Sequence, residues 1–285
     1  MDNKIENLKE YFEKQGGVVM AFLFGSRAKS EGSPHEGSDW DIAVYFKSLT
    51  DKIEIEQEFD YPQEQQVLGD CVNILKTDNV DFITLNRASA TIADVAIRGI
   101  PLVIKDRALW LKFMLRVTSQ AIDFRQFVKN YAEIYWRSAS LVPEDAVALD
   151  KILIFINSEA ESLKEYLDLS WQEYQNDDKK RKFVEHTIEN IMNAVVDVSK
   201  IILSSQKKII PNTYKEAVRQ TGLISPFNQE VSDMLSNWVG LRNVIAHQYL
   251  DYRWEKIRNF LENYKPILNS FLNASRKFLE ENREK

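Results

Sequence analysis

Five residues in the first third of the chain combine side-chain types that handle phosphate and a divalent cation: Gly25, Ser26, Asp39, Asp41 and Asp81. Asp39 and Asp41 are two residues apart at the start of an apolar run, so in a strand both carboxylates project from the same face. Two carboxylates held that close repel each other unless a hard cation lies between them, and Mg²⁺ prefers such oxygen ligands. We therefore expect a magnesium site that also faces a phosphate-bearing substrate.

The other three residues fit the same chemistry. Gly25 and Ser26 follow an apolar run. A glycine there lets a phosphate approach the backbone, and the serine hydroxyl can donate a hydrogen bond to it. Asp81 lies inside a further apolar run, where an unpaired carboxylate is costly, so we predict it as the third metal ligand. An isolated Asp-x-Asp is usually two solvated acids, and it is the combination that favours a nucleotide–metal site.

Short apolar runs predict the strands that position these residues. They cover residues 18–24, 41–46, 80–85 and 101–105. The Glu/Gln-rich segment 51–67 predicts a helix, and the pattern is helical from about residue 107. We expect an α+β domain, with a small mixed sheet and helices, over residues 1–138. A linker interrupted by Pro143 follows over 139–146, and an all-α four-helix-type bundle covers 147–285.

The first domain resembles the minimal nucleotidyltransferases of the DNA polymerase β superfamily, specifically the MntA type. The resemblance implies that Asp39, Asp41 and Asp81 are catalytic and hold two Mg²⁺ ions, while Gly25 and Ser26 bind the nucleotide. It also implies ATP as the substrate. The reaction would be an in-line displacement at the α-phosphate that releases pyrophosphate.

A second polar group lies in the segment RNVIAHQY. In a helix, Arg242 and Tyr249 lie nearly over each other, and Asn243 and His247 are four residues apart. The planar guanidinium of arginine can donate two parallel hydrogen bonds to a phosphate, and neutral histidine is a common general base near pH 7. Cleaving RNA without a metal needs such groups to move protons and to stabilise the phosphorane. Taken alone, these residues would more often be a helix C-terminus with favourable charges.

Within an all-α bundle, this segment resembles the HEPN superfamily, specifically the HepT-type ribonuclease toxins. The resemblance implies a metal-independent endoribonuclease, active on RNA as a homodimer, with Arg242 and His247 catalytic and Asn243 supporting. In that family the MntA-type enzyme is the antitoxin, and it AMPylates the motif tyrosine, here Tyr249. The two proteins are usually separate chains. Their fusion leaves modification within one chain and modification between protomers both open.

Composition limits the function classes. The net charge is −6, and acidic residues outnumber basic ones in both halves of the chain. This composition argues against a large basic surface for binding nucleic acid, but it leaves a local RNA contact possible. The lone Cys71 excludes a disulfide framework, and the amphipathic start is not a signal peptide. We therefore expect a cytoplasmic protein.

The main prediction is a toxin–antitoxin fusion, in which a Mg²⁺- and ATP-dependent adenylyltransferase modifies its own HEPN domain and regulates a ribonuclease. Two other interpretations stay open. A small-molecule nucleotidyltransferase of the aminoglycoside type would use the helices only to shape an acidic acceptor pocket, and would give Arg242, His247 and Tyr249 no joint role. A non-enzymatic dimerising module with a vestigial nucleotide site is the other, and the intact aspartates argue against it.

Overall fold

The structure is a computed structural model of the chain. It describes residues 3–28, 38–50, 53–57, 59–137, 141–242, 245 and 250–282. The chain divides into two compact units, residues 1–125 and 126–285, and the dividing point falls inside one long helix.

A four-stranded mixed sheet forms the centre of the first unit. Its strands are β1 (Val18–Phe24), β2 (Trp40–Phe46), β3 (Val80–Thr84) and β4 (Ile100–Ile104). Their order is β3-β2-β1-β4, with β1 antiparallel to both β2 and β4, and β2 parallel to β3. Because β1 and β2 are antiparallel, the end of β1 lies beside the start of β2. The sheet therefore brings the residues predicted to bind phosphate and metal to the same end of the strands.

Helices cover both faces of this sheet. They are α1 (Asn3–Lys14), α2 (Glu64–Leu75), α3 (Ala90–Ala96) and α4 (Arg107–Tyr135). Successive side chains of β2 alternate between the faces. Ile42 packs in a core cluster with Leu8 of α1, whereas Ala43 packs in a separate one with Phe113 of α4. Burial on both faces explains why β1 and β2 are continuous apolar runs rather than alternating ones.

The predicted helix over residues 51–67 is wrong in its first part, because the described residues before Glu64 are irregular backbone. A buried carboxylate gives the physical reason. Glu54, only 2% exposed, accepts hydrogen bonds from two backbone amides of the preceding loop, from the Tyr61 hydroxyl at 2.5 Å and from the Asn86 amide at 3.0 Å. These bonds hold the segment against the sheet, and the sequence pattern does not show them.

The second unit is helical. Its helices are the last turns of α4, then α5 (Pro143–Ser162), α6 (Trp171–Asn176), α7 (Asp178–Ser205), α8 (Tyr214–Thr221), α9 (Gln229–Val239) and α10 (Leu250–Asn282). Helix α7 lies at the centre and contacts α5, α6, α8 and α9. No strand occurs among the described residues of this unit. The predicted fold class, a small mixed sheet followed by a helical bundle, is confirmed.

The last turns of α4 form part of the second unit's core. Phe127 and Tyr131 are buried there, and the Tyr131 hydroxyl donates to the carbonyl oxygen of Lys208 at 2.8 Å. The Lys207 ammonium donates to the carbonyl oxygen of Tyr135 at 2.5 Å, which satisfies a group that the helix end leaves unpaired. Helix α4 is therefore a structural element of both units.

None of the helices, over the residues described, is long and apolar enough to cross a membrane.

Candidate functional sites

Strand register brings the three predicted aspartates to one end of the sheet. Phe24, the last residue of β1, is paired with Asp41, and Asp41 is paired in turn with Asp81 of β3. Side chains directly opposite each other on neighbouring strands share a face. Asp39 lies two residues before Asp41, so in extended backbone it projects to the same side. The sequence prediction that these acids lie close together agrees with this placement.

Gly25 has a structural reason to be a glycine. Its φ is +69°, in the left-handed region that other residues rarely adopt. A Cβ at this position would lie 1.9 Å from Oδ2 of Asp41 and 2.5 Å from its Cγ. The glycine therefore makes room for a carboxylate, in addition to the backbone access for phosphate that the sequence suggested. The following residue, Ser26, is exposed in a short 3-10 turn, Gly25–Ala28, where its hydroxyl is accessible to a ligand.

The Asp41 carboxyl group is half-buried, and its pKa is raised above the ordinary value of an aspartate. Burial is the largest cause, and the negative charges of Asp81 and Asp39 add to it. A backbone hydrogen bond and the positive charge of Arg27 act in the opposite direction. Repulsion among neighbouring carboxylates is the kind of strain that a bound cation relieves.

Asp81 is exposed on the edge strand β3, so the expectation that burial makes this acid need a metal is wrong. Its closeness to Asp41 comes from register instead. Within the described ranges, no group of three His, Cys, Asp or Glu side chains is arranged to hold a metal ion. Asp39, Asp41 and Asp81 are therefore not a closed coordination set in this structure. Their chemistry nevertheless fits Mg²⁺, because all the donors are carboxylate oxygens and Gly25 lets the Asp41 carboxylate lie against the backbone.

Arg27 contacts both chain segments that carry this candidate site, an arrangement that the sequence pattern does not predict. Its Nε donates to the carbonyl oxygens of Ser38 at 2.9 Å and Asp39 at 3.1 Å, and its Cζ lies 4.5 Å from the ring centroid of Trp40. Trp40 is only 4% exposed and packs in the core on the face opposite Asp41. Arg27 thus joins the turn after β1 to the start of β2. Only its place two residues after Gly25 hints at this role.

Arg242 is the residue of the second predicted site that the structure describes. It is helical and half-buried, and its Cζ lies 4.7 Å from the ring centroid of Tyr214. Asn243, His247 and Tyr249 lie outside the described residues. Their convergence with Arg242 stays a prediction.

A buried polar contact fixes the helix that follows the motif. Arg253 of α10 donates to Oε1 of Glu185 at 3.2 Å, and the same oxygen accepts from the Tyr174 hydroxyl at 2.5 Å. Burial and the Glu185 carboxylate raise the pKa of Tyr174, so its phenol stays a neutral donor. Sequence reasoning missed this contact because its three residues lie on three helices and Arg253 is 68 residues from Glu185.

Two family models match the chain. Residues 6–108 match the family described as "Polymerase beta, Nucleotidyltransferase", and residues 156–275 match "Ribonuclease HepT-like". No curated protein matches it. Among solved structures, a chain described as "Crystal structure of the toxin-antitoxin with AMP-PNP" is similar, at 18% identity and a TM-score of 0.36. That match covers 46% of this chain and 97% of the other.

These matches support an enzyme with a nucleotidyltransferase domain and a second, ribonuclease-like domain. Specifically, the chain carries a polymerase-β-type nucleotidyltransferase domain followed by a HepT-like HEPN domain, as predicted.

Proposed function

We propose that this protein is a toxin–antitoxin fusion. Its N-terminal domain transfers AMP from ATP to Tyr249 and thereby controls an endoribonuclease in its C-terminal domain. One observation carries the proposal. A nucleotidyltransferase domain that retains Asp39, Asp41 and Asp81 precedes, in the same chain, a HepT-like domain with Arg242 at the predicted motif position.

In the proposed transfer, the phenol oxygen of Tyr249 attacks the α-phosphorus of ATP. The bond between that phosphorus and the oxygen bridging to the β-phosphate breaks, pyrophosphate leaves, and the phenol proton passes to a site carboxylate. Asp39, Asp41 and Asp81 would hold Mg²⁺, which when bound stabilises the attacking and leaving oxygens. Ser26 donates to a phosphate oxygen.

In the C-terminal domain, His247 would take the proton of the RNA 2′-hydroxyl, whose oxygen would attack the adjacent phosphorus while Arg242 stabilises the charge on the phosphorane. The bond from phosphorus to the 5′ oxygen would then break, the leaving oxygen would take a proton back from His247, and a 2′,3′-cyclic phosphate would remain. Asn243 would orient the imidazole ring. Homodimerisation through this domain would bring two motifs together. AMP on Tyr249, two residues from His247, would place an anion where an RNA phosphate binds, so the modification would inhibit cleavage. We place both activities in the cytoplasm.

Intact-mass measurement after incubation with ATP and Mg²⁺ tests the transfer. We expect a gain of one or more AMP groups that is lost in Tyr249→Phe and in the double variant Asp39→Ala/Asp41→Ala. Tyr252→Phe, three residues further along, is the matched control and should keep the gain. No gain, together with nucleotidylation of an added aminoglycoside, would contradict the proposal and favour a small-molecule nucleotidyltransferase.

Growth measurement tests the ribonuclease. The full chain with Asp39→Ala/Asp41→Ala cannot modify Tyr249, so its expression should arrest growth, and adding His247→Ala should restore it. Harmless expression of the soluble double variant would count against a ribonuclease. Mixing purified Arg242→Ala and His247→Ala chains tests the dimer, because a site shared between protomers regains cleavage only in the mixture.

A further inference from the structure

The first turn of α8 is held against the residues that lead into the ribonuclease motif. Ser236, buried in α9, donates from its hydroxyl to the carbonyl oxygen of Lys215 at 2.9 Å. Gly240 follows α9, two residues before Arg242, and a Cβ there would lie 3.3 Å from Cε of Lys215. The Lys215 side chain therefore passes directly over this glycine. Helix α8 is fixed in position relative to the start of the motif.

Tyr214, the first residue of α8, presents its ring to the Arg242 guanidinium. The Arg242 Cζ is 4.7 Å from the ring centroid, within the range of a cation–π contact. A second aromatic residue holds the ring, because Phe127 meets it edge-to-face at 5.3 Å and 90°. Thr213 caps the helix by accepting from the Glu216 amide at 3.1 Å. The Tyr214 ring is therefore held in place from two sides, by Phe127 and by the helix cap.

A ring held in place can order the Arg242 guanidinium before RNA binds. An arginine side chain has many rotamers, and catalysis benefits when a charged group is already ordered before the substrate arrives. In a cation–π contact the ring face attracts the positive charge of the guanidinium, whereas phosphate is bound by N–H groups in the guanidinium plane. The contact with the Tyr214 ring therefore restricts the positions that the Arg242 guanidinium can take.

We propose that Tyr214 is a positioning residue for Arg242, ordering its guanidinium for the RNA phosphate. This inference rests on the proposed ribonuclease function. The contact with Arg242 is made by the ring face. Phenylalanine keeps that face and should therefore preserve the contact, whereas leucine, which has no ring, should not.

Cleavage of single-stranded RNA by the full chain tests this role, with Asp39→Ala/Asp41→Ala present so that nothing modifies Tyr249. We expect kcat of Tyr214→Phe to stay within about twofold of the parent, and kcat of Tyr214→Leu to fall about tenfold, with a smaller change in KM. In an Arg242→Ala background, Tyr214→Leu should cause no further loss, because the group it positions is gone.

An NMR readout reports the position of the arginine independently of activity. Protons of the Arg242 side chain over the ring should be shifted upfield, and the shift should persist in Tyr214→Phe and vanish in Tyr214→Leu. If Tyr214→Leu fails to fold, as judged by circular dichroism, Phe127→Leu takes its place. That variant releases the ring without removing it, and it should lower kcat about threefold.

The outcomes separate this inference from the function on which it rests. If Arg242→Ala is inactive while Tyr214→Leu, or Phe127→Leu in its place, cleaves as fast as Tyr214→Phe, the positioning role is overturned and the ribonuclease stands. If Arg242→Ala cleaves RNA at the parent rate, or the parent does not cleave RNA, both are overturned.

Discussion

At the scale of single residues, the nucleotidyl-transfer site depends on a close approach between Gly25 and Asp41. The Asp41 carboxylate occupies the space that a side chain on Gly25 would need. It is also the carboxyl group whose pKa is raised by its burial and by the charges of Asp81 and Asp39. A small change at position 25 therefore acts directly on the group that the proposed metal would contact.

Gly25→Ala should lower the rate of AMP transfer by at least about 100-fold, because displacing a catalytic group by about 1 Å has effects of that size. Intact-mass time courses with ATP and Mg²⁺ measure the rate. Gly69→Ala in α2 is the matched control, since a Cβ there meets no described atom within 4 Å. The control should keep full activity. An active Gly25→Ala would show that Asp41 can move without consequence.

Asp94 of α3, 1% exposed, should make the stability of the first domain depend on pH. Its carboxylate accepts hydrogen bonds from Thr118 at 2.7 Å and Arg98 at 3.1 Å, and Arg125 lies 3.5 Å away. Burial acts to raise the pKa of Asp94, but these hydrogen bonds and charges outweigh it and hold the pKa below its ordinary value. A lowered folded-state pKa gives stability that is present above about pH 4 and lost as the pH falls further.

Asp94→Asn should therefore lower the free energy of unfolding at pH 7 by about 1–3 kcal/mol and make its decrease below pH 4 shallower. Urea unfolding of the full chain between pH 3 and pH 7 measures both effects. The exposed Asp78→Asn serves as the control and should change neither. An unchanged acid dependence in Asp94→Asn would contradict the assignment.

At the scale of elements, the sequence located the strands but not the contacts that join them. Apolar runs predict β1 and β2 because both are buried on two faces. The proximity of Asp81 to Asp41 depends on the parallel register of β3, which a single sequence does not contain. The irregular segment at Glu54 depends on Asn86, 32 residues away, for the same reason. The local sequence pattern predicts strands and helices, whereas contacts between residues distant in the chain can be identified only from the folded structure.

Arg27→Lys should show whether the connection between β1 and β2 needs only the positive charge of Arg27 or also its hydrogen bonds. Lysine keeps the positive charge but has no planar guanidinium. It therefore cannot reproduce the Arg27 hydrogen bonds to the carbonyl oxygens of Ser38 and Asp39 together with the contact on the Trp40 ring. We expect the kcat for AMP transfer to fall about tenfold, with a smaller change in the KM for ATP, because the backbone of Asp39 is no longer fixed. AMP incorporation followed by intact mass over a range of ATP concentrations gives both values, as the maximal rate and the ATP concentration at half the maximal rate. A rise in KM alone would mean that Arg27 contacts ATP instead.

At the scale of the whole molecule, helix α4 determines which fragments can fold. Phe127 and Tyr131 are buried in the second unit, so a C-terminal fragment that begins at residue 140 lacks part of its own core. Removing a large buried aromatic side chain costs about 3–5 kcal/mol.

We expect a fragment of residues 126–285 to be soluble with a cooperative thermal transition, and a fragment of residues 140–285 to be insoluble or to melt at least about 10 °C lower. Soluble yield and scanning calorimetry make the comparison. Equal melting temperatures would show that the end of α4 contributes nothing to the second unit. Phe127→Leu in the longer fragment should fall between the two.

Helix α4 also has a consequence in time. A ribosome makes the nucleotidyltransferase unit, and the stretch of α4 that the second unit shares, before the remaining helices of the nuclease-like unit. At about 5–20 residues per second, that gives the first unit a lead of roughly ten to thirty seconds during each round of synthesis. Two separate genes must balance their products through expression. In this chain translation itself fixes the ratio at one to one, and the nucleotidyltransferase domain is present before the motif that we propose it restrains.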